Sequence, residues 1–112
     1  MADPTDWIEY DYDMLMTRNE SPEWKHSITS RALVLMRFLR DNNLLISIDP
    51  FEEDGSIKKN LVVKKSDLTE EGAKIFSKAW IYWENYLDRG GDVNNISRLE
   101  NGLKRIRQGK AG

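Results

Sequence analysis

Between residues 21 and 42 the apolar side chains Trp24, Ile28, Ala32, Leu35 and Leu39 recur at helical spacing, and Leu33, Met36 and Phe38 widen the line. A stripe this broad predicts a helix buried over most of its circumference. Its start is marked by "SPEW", with Ser21 placed to cap, Pro22 tolerated at the first helical position and Glu23 favourable in the first turn. Arg31, Arg37 and Arg40 are left as its polar face.

The same period returns further on in Phe76, Ala79, Trp80, Trp83 and Leu87, flanked by Ile75, Tyr82 and Tyr86. Asp67 or Thr69 can open that helix, Glu70 and Glu71 suit the positive end of its dipole, and Gly72 permits close packing. "DRGGD" ends it, with Gly90 or Gly91 supplying a left-handed cap. Aromatics at helical spacing are read here as core, not as a ligand platform. Asn94 or Asn95 then caps a last helix whose Ile96, Leu99, Leu103 and Ile106 form a narrow seam, expected to pack on the preceding helix as an αα-hairpin. Residues 108–112 are expected to fray.

Near the start, Ile8, Tyr12 and Leu15, with Trp7, suit a short helix capped by Asp3 or Thr5, with Pro4 in its first turn; the alternation in "YDYDMLM" leaves a strand as the competing reading. In the middle of the chain, "LLISI" and "LVVKK" are short apolar runs rich in β-branched residues. Between them "DPFEEDGSIKK" carries the turn formers Asp49-Pro50 and Asp54-Gly55, so the two runs are expected to pair as an antiparallel hairpin. The predicted fold class is mainly α (α+β): about four helices, with one β-hairpin between the second and third, in a single globular domain over residues 1–112.

Length supports one core and no more, since 112 residues is an ordinary domain. With 39% hydrophobic residues, four Trp, four Tyr and three Phe, the chain has enough large apolar area to fold alone. The absence of cysteine excludes disulfides and thiolate metal sites. The acidic opening "MADPTDWIEYDYD" lacks the features of a signal peptide, and "ALVLM" is too short to span a bilayer, so a cytoplasmic protein without membrane contact is expected.

Charge changes the picture more than composition does. Residues 1–23 hold seven acids against the single base Arg18, whereas residues 98–112 hold five bases against Glu100. An acidic head can steer a basic partner, or the two ends can simply be solvated or attract each other.

The chemistry of catalysis is missing from the pattern. The lone His26 has no second histidine or cysteine for a zinc set and no spacing that marks a triad. Asp49, Glu52, Glu53 and Asp54 do not follow the calcium-loop alternation of oxygen ligands, and "RGG" is a helix stop, not a phosphate loop. Sequons at Asn19 and Asn95 carry no meaning in a chain read as unsecreted. No enzyme activity, metal or cofactor is expected; the chain reads as a binding domain.

Two resemblances give that reading alternatives. Residues 27–76, with the wing-like "DPFEEDG" and the helix-opening "LTEEG", resemble the recognition-helix, wing and closing-helix order of winged-helix regulators of the MarR type. That resemblance implies DNA binding, with Arg31, Arg37, Lys58, Lys59, Lys64 and Lys65 as phosphate contacts. A helix apolar nearly all round and an acidic head both count against groove binding, which disfavours nucleic acid as partner.

Residues 66–107, "SDLTEEGAKIFSKAWIYWENYLDRGGDVNNISRLENGLKRIR", with a capped helix, a glycine-marked break and a short basic helix, are similar to small bacterial immunity proteins of contact-dependent and other polymorphic toxin systems. That resemblance implies a non-catalytic antidote that binds a cognate toxin, one of basic nuclease type if the acidic surface is the contact. The candidate partner-binding residues are Asp6, Glu9, Asp11, Asp13, Glu52, Glu53 and Asp54, with Trp7, Tyr10 and Phe51 as aromatic anchors. A structural or adaptor domain is the third alternative.

Overall fold

The computed structural model describes residues 6–111, with side chains through residue 109. Its elements in chain order are strand β1 (Ile8–Asp11), helices α1 (Tyr12–Met16) and α2 (Pro22–Asp41), strand β2 (Val62–Lys64), and helices α3 (Glu70–Lys78), α4 (Trp80–Asp88) and α5 (Ser97–Ala111). The fold is mainly α with one two-stranded antiparallel sheet.

The opening segment is divided between the two readings: Ile8–Asp11 form a strand, whereas most of "YDYDMLM", whose alternation suggested one, is the helix Tyr12–Met16. Tyr10 points into the core and Ile8 out, and β1 pairs with β2 in the register Ile8↔Lys64, Tyr10↔Val63 and Asp11↔Val62, with a shift between Ile8 and Tyr10. The helix begins only at Tyr12, where the Asp11 carboxylate accepts from Met14 N at 3.1 Å. The caps expected at Asp3 and Thr5, and Pro4, lie outside the described residues.

The antiparallel pair is therefore present, but β2 takes β1 as its partner and not residues 44–48. Leu44–Ile46 instead run beside residues 67–69: Ile46 N donates to Asp67 O at 2.8 Å and Thr69 N to Leu44 O at 2.9 Å. Burial explains the choice, because Leu44 and Leu68 both enter the core there, and Gly72 admits the chain so closely that a Cβ would lie 2.7 Å from Leu44 O. Asn43, at φ 58°, turns the chain out of α2 into this segment.

The long aromatic helix expected over residues 70–88 is two helices, broken at Ala79 (φ −128°, ψ −39°). The break sits where α5 crosses: a Cβ on Gly102 would lie 2.4 Å from the Ala79 Cβ. The bend lets Phe76 and Trp80 meet Tyr10 of β1, with ring centroids 5.8 to 6.2 Å apart. The expected left-handed cap of α4 is Gly90, at φ +94°. Asn95 Oδ1 accepts from Ser97 N and Oγ at the entry to α5, which packs on α3 and α4 as expected. Residues 108–111, expected to fray, continue the helix to Ala111.

The core gathers Ile28, Leu35, Met36 and Leu39 of α2, Val63 of β2, Ile75, Trp83 and Leu99 around one centre. Arg31 departs from its expected place on a polar face. Its side chain is only 9% exposed, and it donates to Glu84 at 2.7 Å, Asp88 at 3.0 Å and Ser27 Oγ at 3.1 Å. The stripe around α2 is so wide that Arg31 falls inside it, and α4 supplies the carboxylates that make its burial tolerable.

Candidate interaction surface

The loop between α2 and β2 is built as a ridge anchored in the core and closed by its own hydrogen bonds. Pro50 and Ile57 anchor it in the core, Phe51 and Ile57 face each other across a bridge, and Lys58 N donates to Pro50 O at 3.0 Å. Both turns expected from the sequence are closed by side chains: Asp49 Oδ1 accepts from Phe51 N at 3.0 Å, and Asp54 Oδ1 accepts from Ser56 N at 3.0 Å and Ser56 Oγ at 2.6 Å. Those bonds favour the charged form and hold the Asp54 carboxyl below its ordinary value of 3.8. Gly55, at φ +87°, completes the tip, with its N–H bonded to Glu52 O at 2.9 Å.

Glu52 and Glu53 stand at this tip exposed, with no ion-pair partner among the described residues. The ridge separates two open clefts. One, of about 760 Å³, lies toward α2 and is lined by Arg37, Arg40, Leu45, Ile48 and Phe51. The other, of about 1160 Å³, is lined on its far side by Ile57, Lys58, Lys59 and Asn60. Phe51 is half-buried, with the Arg40 guanidinium 4.9 Å from its ring centroid. The sequence places Arg37 and Arg40 on a polar helix face, and Arg37 also among the phosphate contacts of the winged-helix resemblance; their part in a cleft follows from the loop folding back onto α2.

The acidic head is arranged differently. Asp6 is engaged internally, accepting from Ser66 N and Oγ at 2.8 Å each, and Asp11 caps α1. Trp7 is 56% exposed, with its indole N–H donated to the Glu9 carboxylate and Lys65 Nζ 5.0 Å from its ring centroid. Asp13 is exposed and without an ion-pair partner among the described residues. Tyr10, expected as a surface anchor, is 3% exposed and belongs to the core; burial, then the nearby Glu84 charge, pushes its phenol far above the usual range. Strict alternation would put Tyr10 on the face of the exposed Ile8; the register shift between them breaks it, and Tyr10 lies inward against Phe76 and Trp80.

The residues expected to touch phosphate are scattered. Arg31 is buried in its ion pairs, Arg37 lines the cleft beside the ridge, Lys58 and Lys59 line the other cleft, and Lys65 lies on Trp7. His26 is exposed on α2. Among the described residues, no group of three His, Asp or Glu side chains is placed to hold a metal, and no helix is long and apolar enough to cross a membrane. No family model, curated protein or solved structure matches this chain.

Proposed function

We propose that this domain is a non-catalytic, protein-binding antidote of the immunity-protein type, and that it neutralises a basic toxin through the acidic ridge at residues 49–57. The observation that carries the reading is the ridge itself: two unpaired, exposed carboxylates, Glu52 and Glu53, on a loop closed by its own hydrogen bonds. A loop ordered before contact loses little entropy on binding, and unpaired surface carboxylates steer a cationic partner and raise its association rate. Phe51 and the aliphatic wall of Leu45 and Ile48 offer the apolar anchor that a tight interface needs beside its charges. Asp54 serves the ridge as its turn lock.

The test begins with the tagged protein recovered from its own cell lysate with and without nuclease. A stoichiometric protein that survives nuclease is then expressed alone, and it should arrest growth. Wild-type antidote should relieve that arrest; the Glu52→Lys/Glu53→Lys variant, which leaves the Asp54 lock intact, should not. Retention only while nucleic acid is intact would replace this reading with the winged-helix one, and a retained partner without toxicity would replace it with an adaptor role.

A further inference from the structure

A groove runs between α3 and α5, away from the residues of the ridge. It has a volume of about 420 Å³ and is lined by Lys74, Lys78, Gly102, Arg105, Ile106 and Gly109. On α5, positions 102, 105, 106 and 109 follow the helical period and share one face; on α3, Lys74 and Lys78 are one turn apart. Basic side chains therefore stand on both walls, and Ile106, 6% exposed, shows its edge at the floor between them. Lys78 and Arg105 are exposed and have no carboxylate within ion-pair distance among the described residues, while Lys74 is shared with Glu70 at 3.3 Å. A second cleft, of about 360 Å³, shares Lys74 and extends past Ala73 and Ser77 to Lys65 and Trp7.

The two glycines of the groove differ. Gly102 is filled by the fold itself, against Ala79, but among the described residues a Cβ on Gly109 would meet nothing within 4 Å. That end of α5 is open to the close approach of another backbone. We propose that the groove between α3 and α5 is a second docking surface, one that receives an acidic amphipathic helix of a partner protein: apolar side chains on Ile106, backbone over Gly109, and carboxylates against Lys78 and Arg105. This is the helix-in-groove mode, in which a cleft between two helices takes a third. A nucleic acid strand fits less well, because it wants aromatic platforms along a basic track. The inter-helix groove has none, and Trp7 in the adjoining cleft already carries Lys65. The inference does not depend on the antidote reading, since the groove shares no lining residue with either cleft of the ridge.

The probe is a fluorescein-labelled helical peptide of Glu, Ala and Leu with its leucines on one face, titrated against the full chain and followed by anisotropy and by amide chemical shifts. Saturable binding is expected, with shifts centred on Gly102, Arg105 and Gly109. Lys78→Glu/Arg105→Glu should weaken it about tenfold, the scale of losing two exposed charge pairs and adding repulsion. Gly109→Leu, which fills open space and favours the helix, should block the peptide with no change of charge. Glu52→Lys/Glu53→Lys should leave the affinity unchanged. The proposal is overturned if the acidic peptide does not saturate, if it binds both groove variants as it binds wild type, or if the ridge variant also loses it. Saturable binding of oligo-dT without binding of the peptide would overturn it in favour of a nucleic acid surface.

Discussion

Replacing Arg31 by alanine strands Glu84, whose side chain is only 18% exposed, beside an apolar α2. Breaking a fully buried ion pair by removing one partner costs about 3–5 kcal/mol. Two features reduce that here: Asp88, the second partner, is 56% exposed and can be solvated, and Glu84 can take up a proton. A loss of about 2–4 kcal/mol at neutral pH is expected for Arg31→Ala, or roughly 8–16 °C in Tm at about 4 °C per kcal/mol.

The pH dependence identifies the cause. Burial raises the Glu84 carboxyl above its ordinary 4.5, against the lowering effect of the Arg31 charge and hydrogen bond, and the Asp88 charge raises it further. A carboxyl whose pKa is higher folded than unfolded binds more protons in the folded state. Its contribution to stability therefore improves as pH falls through the raised value and is lost as pH rises above it. Without Arg31 the largest lowering influence is gone, so the window widens upward and the penalty of the variant should shrink between pH 7 and pH 5. Urea unfolding followed by tryptophan fluorescence at both pH values measures this. Arg31→Met/Glu84→Leu should recover most of the loss, because an apolar pair of similar volume replaces the buried ions without stranding either. A penalty under about 1 kcal/mol, or one identical at the two pH values, would refute the reasoning.

Other outcomes follow from the close packing and from the turns. Gly102→Ala gains about 1 kcal/mol of helix propensity but drives a Cβ to 2.4 Å from the buried Ala79 Cβ, which cannot swing aside. Overpacking of about 1–3 kcal/mol should prevail, and a higher unfolding midpoint for the variant would contradict the α5 crossing. Gly90→Ala, in open space at φ +94°, should cost about 1 kcal/mol from backbone strain alone; equal stability in thermal melts would show that the cap relaxes. At the ridge, Asp54→Asn should speed amide exchange at Ser56 and Gly55. In wild type the same loosening should set in as pH falls below 3.8 through the depressed Asp54 pKa, because a lowered carboxyl contributes its order only while ionised. Unchanged exchange in both experiments would mean that the backbone bonds alone hold the tip.

Periodicity and local chemistry made much of this fold legible. Ser21 and Pro22 start α2, Thr69 caps α3, and Gly90 ends α4, because each acts through its own backbone angles or a hydrogen bond within a few residues. The turns of the ridge were legible for the same reason: Asp49 and Asp54 bond amides two residues away. Glu52 and Glu53 could thus be placed at an exposed tip from the sequence alone.

What depended on distant partners was not legible. Residues 8–11 could be strand or helix by pattern, and became a strand because β2 completes their ladder; residues 44–48 had the look of a strand, but Leu44 and Leu68 needed burial side by side near Gly72. Tyr10 and Arg31 each carried a polar group that suggested a surface, yet one turns into the Phe76–Trp80 cluster past a register shift in β1 and the other meets Glu84 and Asp88, more than fifty residues away. The basic groove belongs to the same category, since Lys78 and Arg105 face one space only because α5 crosses at Ala79. Local order is set by neighbours along the chain, and these placements by the requirement that every apolar face and buried charge find its complement across the fold.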